Sequence, residues 1–132
     1  MGIIKVVCGI IYENDKVFIC RRKKEKSLGG LWEFPGGKIE DGEKYADSLK
    51  RELNEELRMD VNVIEYFDTS LHNYEGFSIE LIAYKCELIM WNNYLSDHDL
   101  FDWVIPNKLT KWNLAPADIP LAEKIKKAYN NV

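Results

Sequence analysis

Apolar and polar positions alternate along most of this chain, and the pattern divides it into short extended runs and two helical segments. Ile3 to Tyr12 and Val17 to Arg22 are rich in β-branched residues, and the polar run Glu13-Asn14-Asp15-Lys16 between them predicts a hairpin turn. The charged and then glycine-rich stretch Lys23 to Gly30 predicts a loop, after which Leu31-Trp32-Glu33-Phe34-Pro35 leads into a Gly36-Gly37 turn expected to border the functional site. Val61 to Leu71 and Phe77 to Met90 predict two more strands around His72-Asn73-Tyr74-Glu75-Gly76, and Phe101 to Ile105 a further short one. The period turns helical from Tyr45 to Leu57. It does so again from Pro116 to Tyr129, where Ile119, Ala122, Ile125 and Tyr129 share a face. Strands flanking one strong helix, with a second helix at the end, predict an α/β (α+β) fold with a mixed sheet between helices. No repeat or low-complexity linker interrupts the pattern, and residues 1–132 are expected to form one domain.

The first helix carries the chemistry. At about 100° per residue, Tyr45, Ala46, Leu49, Leu53 and Leu57 fall on one apolar arc, and Glu52, Glu55 and Glu56 on an adjoining one. Like charges at this spacing oppose an isolated helix by about 0.2–0.5 kcal/mol per pair, so packing or a bound cation must compensate. Three glutamates alone would also suit a solvated face. The residues around them change the balance: Gly36-Gly37 precedes the helix, Glu43 stands in the approach loop, and Arg51 lies in register to pair with Glu55 one turn on. An arginine so placed orients carboxylates and takes no part in the chemistry itself.

Taken together, Gly37, Glu43 and Arg51-Glu52-Leu53-Asn54-Glu55-Glu56 resemble the Nudix box, with every fixed position matched except one. Arg58 stands where the family has glycine, which predicts a different or strained helix end, since left-handed backbone costs other residues about 1–2 kcal/mol. The resemblance extends to Phe18-Ile19-Cys20-Arg21-Arg22, Leu31 to Glu40 and Leu114 to Leu121, which are similar to the MutT branch and within it the CTP pyrophosphohydrolases. It implies a Nudix-type α/β/α sandwich.

Net charge of −4 argues against a broad nucleic-acid surface but leaves a small anionic ligand open. Cys8, Cys20 and Cys86 lack metal-type spacing, sit in strand-like runs and are expected to be buried free thiols. Met1 to Ile11 is short and interrupted by Lys5, no later stretch is long enough to span a bilayer, and the expected location is the cytoplasm without membrane association.

The resemblance further implies a magnesium-dependent hydrolase, with manganese as a substitute, that splits a nucleoside triphosphate into a monophosphate and pyrophosphate. Its catalytic set would be Glu52, Glu55, Arg51 and Glu43, with Arg51 bonding Glu43 to orient the loop. Its metal ligands would be the Gly36 carbonyl, Glu52, Glu55 and Glu56, and Asp97 is a candidate to complete the shell or simply a turn-making loop carboxylate. The base that takes the proton from water stays open between Glu52 and a carboxylate on the loop before Trp103. His98, beside Asp97, is expected to be structural. Arg22, Glu33, Phe34 and Asp118 are the candidate substrate contacts, while Trp32 suits the core as well as the pocket.

Asp118 would cap the last helix or read the base, and the MutT members that clear oxidised guanine nucleotides carry asparagine at the corresponding place. An ionised aspartate only accepts hydrogen bonds, which favours an exocyclic amino group and points to cytidine or modified deoxycytidine triphosphates. The alternatives are 8-oxo-dGTP, a Nudix domain that binds a nucleotide without cutting it, and a nucleotide sugar, whose usual extra motifs are not found.

Overall fold

The computed structural model describes residues 2–130. Strand β1 (Ile3–Glu13) turns into β2 (Lys16–Arg22) through Asn14 and Asp15, both at positive φ as an I′-type hairpin turn requires. β3 (Trp32–Glu33) and β4 (Gly36–Lys38) follow, then helix α1 (Tyr45–Leu57), the long strands β5 (Asp60–Tyr74) and β6 (Phe77–Met90), and β7 (His98–Val104). Two 3-10 turns, Pro106–Lys111 and Pro116–Asp118, lead to helix α2 (Ile119–Asn130).

All seven strands form one mixed sheet, in the order β3-β2-β1-β6-β5, with β4 added to β1 and β7 to β2. β1 runs parallel to β6 from Ile3 opposite Ser78 to Tyr12 opposite Glu87. Its pairing with β2 is confined to Tyr12–Val17 and Glu13–Lys16, after which the two strands part. β4 takes the freed edge of β1 at Val6 to Cys8, and β7 lies along β2. The sheet therefore splits beside Gly36.

Strand alternation sends Val7, Ile11, Phe18 and Cys20 to one face, where they meet Leu49, Leu53 and Leu57 of α1. Cys8, Ile10, Val17 and Ile19 go to the other and meet Leu121, Ala122 and Ile125 of α2. Helices on both faces give the α/β/α sandwich. Leu49, Leu53 and Leu57 are fully buried, each worth about 1.5–3 kcal/mol of apolar transfer, and this anchoring fixes the adjoining glutamate arc against the split. All three cysteines are buried free thiols.

Several details differ from the sequence pattern. Arg58 itself adopts the left-handed conformation (φ 50°, ψ 38°), so the helix ends as a glycine would end it: the Arg58 N–H donates to the Asn54 carbonyl at 2.9 Å and the Met59 N–H to that of Leu53 at 3.3 Å. Its guanidinium lies 4.1 Å from the centre of the Tyr94 ring, which offsets part of the strain. β5 continues to Tyr74, leaving Glu75 and Gly76 alone as the turn, because Tyr74 stacks on Phe77 across the hairpin and Gly76 supplies the positive φ. β7 begins at His98, ahead of the apolar run. The last helix starts after a 3-10 turn that shifts its phase, so Leu121, Ala122 and Ile125 face the core and Ile119 and Tyr129 are exposed. Among the described residues no helix is long and apolar enough to cross a membrane.

Candidate active site

The split in the sheet opens a cavity of about 420 Å³ whose walls include Arg22, Glu33, Phe34, Gly36, Gly37 and Asp118. Ser27 and Leu28, from the loop after β2, also line it, as the glycine-rich sequence predicts. The backbone at Gly36 is pressed against β1: a Cβ there would fall 1.9 Å from the Val7 carbonyl oxygen. At Gly37 a Cβ would fall 2.2 Å from Glu52 Oε2. Neither position has room for a side chain, and the second glycine lets the Glu52 carboxylate lie directly on β4.

Arg51 organises the acidic side. Its Nε and Nη2 donate to the two oxygens of Glu43 at 2.7 and 2.9 Å, Nη1 donates to Glu52 at 2.8 Å and Glu55 at 3.1 Å, and Nη2 reaches the Lys38 carbonyl at 3.2 Å. Both sequence readings of Arg51 hold at once, because a guanidinium has five donors. The fork, together with the Glu40 N–H, holds the Glu43 carboxyl down at about 2.

Glu56 behaves oppositely. Burial, then the charges of Glu33, Asp97 and Glu52, push its carboxyl up to about 8, with only Arg22 opposing. Burial also raises Glu52, against the pull of Arg51. Around Glu56 the carboxylates outnumber the cations, with Arg22 alone opposing them. Glu52, Glu55, Glu56 and the Gly36 carbonyl offer hard oxygen donors, a chemistry that suits a divalent cation, beside a cradle that any larger residue at position 37 would fill, but the three carboxylates are not drawn within 4.8 Å of one another. Asp97 is close enough to raise Glu56, and its own Oδ1 accepts from the Ser96 hydroxyl at 3.2 Å.

At the pocket floor Asp118 is buried, with Oδ2 accepting the Phe34 N–H at 2.9 Å. The 3-10 turn that carries it is tied to β5 by the Ala117 N–H, which donates to the Tyr74 hydroxyl at 3.2 Å. Burial, then the charge of Glu33, raises the Asp118 carboxyl well above the ordinary carboxylate range. Glu33 Oε2 meets His98 Nε2 at 2.9 Å and Arg22 Nη1 at 3.3 Å, and Arg22 Nε donates to the Ser27 carbonyl at 2.6 Å. Trp32 packs edge-on against Trp112 and serves the core.

The structure thus gathers Arg22, Glu33, Phe34, Gly36, Gly37 and Asp118 around one cavity, while Glu43, Arg51, Glu52, Glu55, Glu56 and Asp97 lie outside its walls. It adds an association that the sequence does not offer: Cys20, Glu33 and His98 bring ligand-type atoms within 4.8 Å of one another, a set distinct from the α1 glutamates. Cys20 faces Glu33 across the β2–β3 pairing and His98 faces Arg22 across β2–β7. The sequence signal for it is the placing of His98 next to Asp97 and ahead of Trp103.

Comparison with known proteins gives the family. The family model described as NUDIX domain matches residues 6–124, and the chain belongs to that family. It is a nucleotide pyrophosphohydrolase, a hydrolase acting on phosphorus-containing anhydrides. It is 36% identical to the CTP pyrophosphohydrolase of Escherichia coli (strain K12), covering 93% of this chain and 91% of the relative. An 8-oxo-dGTP diphosphatase of Proteus vulgaris is also 36% identical, over 71% of this chain and 83% of its own. The solution structure of the E. coli ORF135 protein superposes with a TM-score of 0.87 at 33% identity, covering 99% of this chain and 94% of that one.

Proposed function

We propose that the enzyme is a magnesium-dependent nucleoside triphosphate pyrophosphohydrolase that prefers cytidine or modified deoxycytidine nucleotides. The observation that carries the base preference is Asp118, buried at the pocket floor with Oδ2 on the Phe34 N–H and Oδ1 left for a ligand. An ionised Asp118 would offer acceptors alone. Its raised proton affinity, with Glu33 close by, makes a neutral carboxyl accessible, and a neutral carboxyl offers a donor and an acceptor side by side. Cytosine presents the complement, an acceptor at N3 and a donor at N4. The relationship to the E. coli CTP pyrophosphohydrolase supports the same choice.

Glu52, Glu55, Glu56 and the Gly36 carbonyl would hold the cation, with Asp97 as a further candidate, and manganese would substitute for magnesium. When bound, such a cation neutralises phosphate oxygens and favours ionisation of a nearby water. The chain's own contribution is placement. Arg51 ties Glu43, Glu52 and Glu55 into one hydrogen-bonded network, Arg22 offers a cation to the anionic substrate, and Glu52 is the candidate to take the water's proton. Water adds to phosphorus, the bridging P–O bond breaks, and the products are a nucleoside monophosphate and pyrophosphate.

A second reading, hydrolysis of 8-oxo-dGTP, is favoured by the Proteus vulgaris relative and by an ionised Asp118, which would accept from the two donors on guanine's edge. Pyrophosphate release with magnesium from CTP, dCTP, 5-methyl-dCTP, dATP, dGTP and 8-oxo-dGTP separates them. The cytidine compounds are expected to lead in kcat/KM. A lead for 8-oxo-dGTP would transfer the assignment to the second reading, and no turnover on any of them would favour a domain that binds without cutting.

A further inference from the structure

We infer that His98 is a positioning residue for base selection, acting through Glu33; this rests on the nucleotide-hydrolysing pocket proposed above. The imidazole is fully buried, its Nε2 lies 2.9 Å from Glu33 Oε2, and its Nδ1 has no partner among the described residues. The hydrogen-bond network assigns the ring proton to Nε2, which leaves Glu33 as the one group the ring addresses.

The backbone is bent to put it there. Arg21 faces Leu100 across β2–β7, yet Arg22 faces His98, so Asp99 is an extra residue in the ladder. In regular pairing Asp99 would stand opposite Arg22 and add a carboxylate to the side that already holds Glu33, Glu56 and Asp118. The bulge replaces it with an imidazole, and the displaced Asp99 forms a two-pronged ion pair with Arg21, at 2.8 and 2.9 Å, that clamps the irregularity. Bulges beside active sites commonly re-aim a side chain in this way.

Glu33 is consequently held on one oxygen by His98 and Arg22 together, with its charge fixed close to Asp118 in the cavity wall. Cys20 completes a trio with ligand-type spacing, but the Arg22 guanidinium already supplies a cation on the same Glu33 oxygen, so the set is a hydrogen-bonded support for Glu33 and not a cage for a metal. Without His98, Glu33 would swing on Arg22 and the base would be read loosely.

The test uses the full chain with His98→Leu and His98→Gln, whose amide nitrogen can stand in for Nε2. kcat and KM are measured in magnesium for CTP, UTP, dGTP and 8-oxo-dGTP. His98→Leu is expected to lower the CTP/UTP ratio of kcat/KM by about tenfold, mostly through KM, and His98→Gln to restore most of it. An unchanged ratio in His98→Leu, or an equal loss on every substrate in both variants, would overturn the inference. Failure of the pocket reading shows separately, in the wild type: if another base leads there, the inference stands only if His98→Leu erodes that lead and His98→Gln recovers it.

Discussion

Both oxygens of Glu43 are taken by one side of the Arg51 guanidinium, at 2.7 and 2.9 Å, and the remaining nitrogen of the same fork reaches Glu52 and Glu55. One side chain thereby ties the approach loop to the helix that carries the acidic cluster. Because the folded Glu43 carboxyl sits at about 2 and the ordinary value is 4.5, its contribution to stability is complete above the unfolded value and is lost as pH falls through about 2. Urea midpoints for wild type and Glu43→Gln are therefore expected to differ most above pH 5 and to converge towards pH 2. A constant difference across that range would mean that the pair adds no pH-dependent stability.

Glu56 has the opposite sign. Its folded carboxyl holds a proton up to about 8, so between the unfolded value near 4.5 and that pH the metal-free protein loses stability as pH rises. A cation bound there has to displace the proton, and its affinity should rise up to about tenfold per pH unit over the same interval. Thermal melts with and without magnesium should show a larger stabilising shift at pH 8.5 than at pH 6.5, and Glu56→Gln should remove the difference. Equal shifts at both pH values would place the cation away from Glu56.

The two glycines ahead of the helix should respond differently to alanine. Gly36→Ala drives a methyl into the Val7 carbonyl, a backbone atom that cannot move alone, and should cost about 3 kcal/mol in urea unfolding. Gly37→Ala meets only the movable end of Glu52. It should fold to within about 1 kcal/mol of wild type yet lose about a hundredfold in kcat, through displacement of that carboxylate.

Arg58→Gly should stabilise the protein. Relief of the left-handed strain is worth about 1–2 kcal/mol and loss of the contact with Tyr94 about 0.5–1, leaving a net gain of about 0.5–1 kcal/mol in chemical denaturation. Activity should be unchanged, since Arg58 lies outside the pocket walls.

The helix and its acidic arc were legible because periodicity, the Gly36-Gly37 turn and Arg51 are local signals that agree with one another. The Arg58 helix end was not, because capping geometry outweighed residue preference once Tyr94 came within reach. Nor does local pattern report that β1 pairs in parallel with distant β6, or that a bulge sends His98 instead of Asp99 towards Glu33. The surroundings of Asp118 were hidden for the same reason. A residue next to two prolines looks like a surface cap until the fold buries it beside another carboxylate.

The base-reading role of Asp118 is tested most directly by the ratio of kcat/KM for CTP to that for 8-oxo-dGTP, measured with magnesium in wild type and Asp118→Ala. The expected result is a wild-type ratio in favour of CTP that falls about tenfold or more in Asp118→Ala, whose methyl offers neither the donor nor the acceptor of the carboxyl, with both proteins compared where circular dichroism shows them folded. A ratio that is the same in both proteins would contradict recognition of the base through Asp118.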